Sequence, residues 1–71
     1  MARNGEAARR SGIHIETIRY YEREGIVPPP SRTAGGRRAY TERDIGLLLF
    51  VKRFRDLGFS ISDILNLQAL R

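Results

Sequence analysis

Pro28, Pro29 and Pro30 stand in a row near the middle of the chain, and no regular helix or central strand can run through them. Each proline lacks the backbone N–H that a helix or ladder uses, and each pushes its predecessor toward extended backbone. The chain is thereby divided into two helical halves, the first ending with an extended exit at Ile26-Val27. At 71 residues both halves belong to a single domain, residues 1–71. A chain this short buries only about 60% of the surface it exposes when unfolded, so its core is thin and any bound partner stabilises it.

Ahead of the prolines, Asn4-Gly5-Glu6-Ala7-Ala8-Arg9-Arg10-Ser11-Gly12 reads as a two-turn helix. Asn4 is its cap, Glu6 lies in the first turn, Arg9 and Arg10 lie near the end, and Gly12 stops it. A second helix covers about 15–24, with Ile15, Ile18 and Tyr21 on one face and Gly25 as the left-handed stop. Ser11-Gly12-Ile13-His14 joins the two at helix-turn-helix spacing, with Ile13 plugging the gap between helices and His14 as a weak cap. The outward face of the second helix presents Thr17, Arg19, Tyr20 and Arg23, the kind of donors that a helix entering a major groove needs. Arg19 can fork onto a guanine or a phosphate, and Thr17 and the tyrosine hydroxyls can donate to phosphate oxygens, while Tyr21 fits the core at least as well.

Beyond the prolines, Gly35-Gly36 between short extended arms predicts a two-stranded hairpin over residues 31–40. Arg32, Arg37 and Arg38 bracket its tip, from which guanidinium groups would project along a DNA backbone or into a minor groove. A hairpin this small is floppy unless a helix supports it. Thr41-Glu42-Arg43-Asp44 opens a third helix that runs to about Leu57, with Ile45, Leu48, Leu49, Val51, Phe54 and Leu57 as its apolar face. Gly58 ends it and Phe59 packs back, after which Ser60-Ile61-Ser62-Asp63 caps a fourth helix carrying Ile61, Ile64, Leu65 and Leu67. The fold class is mainly α: about four helices with a small basic β-hairpin wing between the two helical pairs.

Thirteen basic residues against eight acidic ones give a net charge of +5, and twelve of the thirteen are arginine. Arginine's planar fork holds a phosphate or a guanine edge with two hydrogen bonds, so the charge points toward polyanions. A merely solvated basic surface is the plainer alternative, and what favours DNA is position: the wing delivers its arginines on the same side as Arg19. With no cysteine, one histidine and scattered carboxylates, neither a disulfide, a metal site nor a cofactor is expected. Ser11, Ser31, Ser60 and Ser62 sit in turns or caps, and Gly35-Gly36 lacks the lysine and hydroxyl residue of a phosphate-binding loop, so no enzyme is expected. No apolar run approaches the roughly 18 residues of a membrane span, and Met1 is not followed by a signal-peptide core, which predicts a cytoplasmic chain with no membrane partner.

The run from Gly5 through Ile13, then Glu16-Thr17-Ile18-Arg19-Tyr20-Tyr21-Glu22-Arg23-Glu24-Gly25-Ile26, resembles the N-terminal domain of the MerR family of bacterial transcription regulators. So do Arg38-Ala39-Tyr40 and Phe50-Val51-Lys52-Arg53-Phe54-Arg55-Asp56-Leu57-Gly58-Phe59-Ser60. The resemblance implies a winged helix-turn-helix that binds palindromic double-stranded promoter DNA as a homodimer. It implies too that the regulator distorts an overlong spacer so that RNA polymerase engages both promoter elements, on nucleoid DNA. By position it assigns DNA contacts to Thr17, Arg19, Tyr20 and Tyr21 of the second helix, to Arg32 and Arg38 of the wing, and to Arg55 late in the third helix. Asn4 replaces the apolar residue usual in the family, and Arg37 a frequent aromatic, which adds charge to the wing. The dimerisation helix and effector-binding region that usually follow are not within the 71 residues, so this chain alone is expected to be monomeric, with Ile64, Leu65, Leu67 and Leu70 its only fourth-helix contacts. The same small winged module also suits a phage-type excisionase or other DNA-bending protein, and the apolar fourth helix would suit a protein-interaction module.

Overall fold

The computed structural model describes residues 3–69. The elements follow in the expected order: α1 (Asn4–Ser11), α2 (Ile15–Arg23), β1 (Ser31–Arg32), β2 (Arg38–Ala39), α3 (Glu42–Asp56) and α4 (Ile61–Ala69). Leu70 lies outside the described residues. None of the described helices is long and apolar enough to cross a membrane.

Local signals set most of the helix ends. Thr41 Oγ1 accepts from the Asp44 N–H at 3.1 Å while Asp44 Oδ2 accepts from the Thr41 N–H at 2.9 Å, and Ser60 and Asp63 repeat this reciprocal cap at the start of α4. The stops of α2 and α3 share one design. Gly25 (φ 77°) lets Ile26 N–H return to Tyr21 O at 2.9 Å, and Gly58 (φ 101°) lets Phe59 N–H return to Phe54 O at 3.0 Å. In each case the apolar residue after the glycine packs against the last turn: Ile26 and Tyr21 are both buried, and the Phe54 and Phe59 rings meet edge to face at 5.1 Å. The Leu-Gly-Phe-Ser run is thus a helix stop fused to the next helix's cap.

One cap expectation needs correction. Asn4 is not the cap of α1; the first ladder bond runs from Ala7 N–H to Arg3 O at 2.9 Å, so Arg3 occupies the cap position without a side-chain bond and Asn4 begins the helix. His14 does occupy the cap position of α2, its Nδ1 accepting from the Glu16 N–H at 3.2 Å.

The core gathers Ala7 from α1, Ile13 from the turn, Ile18 and Tyr21 from α2, Ile26 and Val27, Tyr40, then Ile45, Leu48 and Val51 from α3 and Ile64 from α4. Ile13 fills the space between α1 and α2 as its position suggested. The α3 face is narrower than expected. Leu49 and Leu57 are 46% and 69% exposed and lie with Phe50 on the side away from the line of Ile45, Leu48 and Val51. Apolar residues surround most of α3, so periodicity alone could not choose which stripe meets the core.

The wing is short but braced. Its strands pair antiparallel with Ser31 opposite Ala39 and Arg32 opposite Arg38. Across the tip, Thr33 N–H donates to Arg37 O at 2.7 Å and Thr33 Oγ1 accepts from Arg37 N–H at 3.2 Å. Ala39 and Tyr40 are buried at its base, which supplies the support a two-residue ladder needs.

Candidate nucleic-acid interface

The start of α1, the exposed side of α2 and the wing meet around one shallow cleft of about 330 Å³, lined by Arg3, Asn4, Gly5, Arg19, Arg32, Arg37 and Arg38. Three segments distant in sequence thus bring five arginines to one place. Arg19 projects from α2 because the helix turns Ile18 and Tyr21 inward, and its only ion pair among the described residues is an exposed one to Glu16 at 3.2 Å. Such a pair is worth about 0–1 kcal/mol and exchanges readily for a phosphate or a base edge. Arg32 donates from Nη1 to Gly36 O at 3.1 Å, which shapes the tip and leaves its other nitrogens available.

Arg38 departs from expectation. It does not project from a free tip: its side chain is only 19% exposed and its Nη1 is bonded to the Glu22 carboxylate, itself 6% exposed, and to Tyr40 Oη at 3.3 Å. Tyr40 Oη in turn donates to the second Glu22 oxygen at 2.9 Å. Burial holds the Tyr40 phenol above its ordinary pKa, with the Glu22 acceptor adding to the rise and Arg38 opposing it. The Arg38 guanidinium is pushed further toward the charged form by these bonds to Tyr40 and Glu22.

The other expected positions divide. Thr17 is half-buried and Tyr20 is 40% exposed on the outer side of α2, outside the arginine cleft. Tyr21 is a core residue at 7% exposure, so its ring has no open face for a ligand. Arg55 is exposed, but its Nη1 donates to Phe59 O at 2.9 Å across the α3–α4 turn, and the cleft does not include it. Reading the sequence missed Arg3 and the partnership of Glu22 with Arg38; the one available signal was a basic residue directly ahead of α1, and nothing local links position 22 to position 38.

No cluster of metal-ligating side chains occurs among the described residues. What the cleft offers is a concentration of forked donors with a positive potential, suited to phosphodiester oxygens and to the acceptor edge of guanine.

A profile described as MerR HTH family regulatory protein matches residues 3–70. The mercuric resistance operon regulatory protein of Bacillus cereus is 47% identical over 62 residues, covering 87% of this chain and 47% of the relative. The transcription regulator PbrR691 of Ralstonia metallidurans CH34, solved in complex with lead(II), superposes with a TM-score of 0.87 at 37% identity, over 100% of this chain and 56% of its own. HiNmlR, a MerR family regulator lacking the sensor domain and solved bound to promoter DNA, superposes with a TM-score of 0.84 at 30% identity, over 93% of this chain and 50% of its own. The chain spans about half the length of these relatives. With its helix-turn-helix, its braced basic wing and a family match over residues 3–70, the chain belongs to the MerR family of helix-turn-helix regulatory proteins.

Proposed function

We propose that residues 1–71 are the DNA-binding domain of a bacterial transcription regulator, placing α2 in the major groove of promoter DNA and the wing along the adjoining backbone. The observation that carries this reading is the convergence of Arg3, Arg19, Arg32 and Arg37 on one cleft at the exposed side of α2. Like charges held this close repel one another, and a polyanion relieves that repulsion while releasing its own counterions. Arg19 is the base-reading donor; Arg3, Arg32 and Arg37 hold phosphates, and Thr17, Tyr20 and Arg55 extend the backbone contacts on either side. The promoter DNA in the HiNmlR structure supports the same class of ligand.

The regulator acts as a homodimer in the cytoplasm, on nucleoid DNA, and distorts a promoter spacer so that RNA polymerase engages both elements. Dimerisation and effector binding belong to segments other than this domain, which carries out no catalysis. Selection from a random duplex library by two copies joined through a flexible linker tests the proposal. Enrichment of one inverted repeat is expected; recovery of unrelated sequences with equal affinity would overturn it.

A further inference from the structure

Arg38 stands in the wing beside Arg32 and Arg37, yet its surroundings differ from theirs. Its guanidinium is closed in a triangle with the Glu22 carboxylate of α2 and the Tyr40 hydroxyl at the wing's base, in which every contact joins a donor to an acceptor. Glu22 is nearly buried, and a buried carboxylate is tolerated only when paired and hydrogen-bonded. The ladder also sets Arg38 directly opposite Arg32, where two like charges would push the strands apart. Glu22 neutralises one member of that pair and leaves the other for a ligand.

We propose that Arg38 is a positioning residue rather than a DNA contact: with Glu22 and Tyr40 it fixes the wing against α2, so that Arg32 and Arg37 stand beside Arg19. This rests on the DNA-binding reading above. Among the described residues the triangle ties α2 to β2 by polar contacts. Freed from it, a ladder of two residues per strand would swing in the unbound domain, and binding would have to order the wing before Arg32 and Arg37 reach the same phosphates, which costs affinity without removing a phosphate contact.

Glu22→Gln gives the sharpest test, because the two roles predict opposite signs. If Arg38 held a phosphate, removing its competing carboxylate would add a positive charge and tighten binding. As a positioning residue it loses its anchor, and affinity for the selected duplex falls by about three- to tenfold. Arg38→Gln should lower affinity by about tenfold with the slope of log affinity against log salt unchanged, whereas loss of a phosphate contact would make it shallower by about 0.9. Tyr40→Phe leaves every charge in place and should weaken binding in the same way, again at constant slope.

Hydrogen exchange on the DNA-free protein gives an independent reading. Amides of residues 31–39 should exchange faster in Glu22→Gln and Arg38→Gln, while α1 and α3 keep their protection and show that the domain remains folded. Unchanged wing exchange, tighter binding by Glu22→Gln, or a shallower slope for Arg38→Gln would each overturn the proposal. A wild-type chain that binds no duplex at any salt would instead overturn the DNA-binding reading, while the exchange data would still decide whether the triangle holds the wing.

Discussion

Leu48 and Leu49 are neighbours on α3, chemically identical and equal in helix propensity, yet the fold gives them opposite environments at 1% and 46% exposure. Replacing Leu48 by Ala removes buried apolar volume from a core too thin to collapse around the gap, at a cost of about 3 kcal/mol within the ordinary span for such sites of about 2–5. A domain of 71 residues has about 4–10 kcal/mol of stability in total, so this is a large fraction of it. At about 4–8 °C per kcal/mol for a domain of this size, the midpoint of unfolding should fall by about 12–24 °C. Leu49→Ala should cost about 0.5 kcal/mol and lower the midpoint by about 2–4 °C. Thermal melts followed by circular dichroism compare the two directly. Equal drops, or a larger drop for Leu49→Ala, would show that α3 is rotated from the orientation described.

Three further outcomes follow from the site and its supports. Arg19→Ala should cost about 1–3 kcal/mol of specific binding and relax preference at one base position; an unchanged profile across an operator library would remove α2 from the reading role. Because Tyr40 has a raised pKa in the fold, it contributes stability that is fully present below the ordinary phenol value near 10 and is lost as pH rises through the raised one, so the gap in stability between wild type and Tyr40→Phe should narrow at alkaline pH. A gap that stays constant in titrated denaturation curves would contradict that assignment. In sedimentation the 71-residue chain should be monomeric at micromolar concentration, because α4 commits Ile64 fully and Ile61 and Leu65 partly to its own core. A dimer would point to the exposed α3 side of Leu49, Phe50 and Leu57.

What the sequence revealed, and what it withheld, follows the range of the interactions involved. The caps at Thr41 and Ser60 and the stops at Gly25 and Gly58 are made within a few residues, so their signatures place helix ends nearly to the residue. A residue with capping chemistry can equally stand just inside a helix, as Asn4 does, and only the ladder's first bond decides. The orientation of α3 stayed ambiguous because apolar residues occupy most of its circumference. Arg37 and Arg38 are adjacent arginines in the sequence, and their separation into one open to the cleft and one tied down needs Glu22, sixteen positions from Arg38, which only tertiary packing brings near. Arg3 joined the site for the same reason: the cleft is assembled from the domain's start, α2 and the wing.

The central claim is that the arginine cleft, rather than net charge spread over the surface, binds duplex DNA. The salt dependence of affinity, measured one arginine at a time on a selected duplex, tests it most directly. Phosphate contacts from Arg3, Arg32 and Arg37, with Arg55 outside the cleft, predict a slope of about −3.6 if each neutralises one phosphate at about −0.9 per contact, while Arg19 reads a base. Alanine at Arg3, Arg32 or Arg37 should make that slope shallower by about 0.9 each, while alanine at Arg43 or Arg53, which line other surfaces, should leave it unchanged although the loss of charge is identical. The same change for both sets would mean that the domain attracts DNA through its overall charge alone, and would contradict the cleft as its binding site.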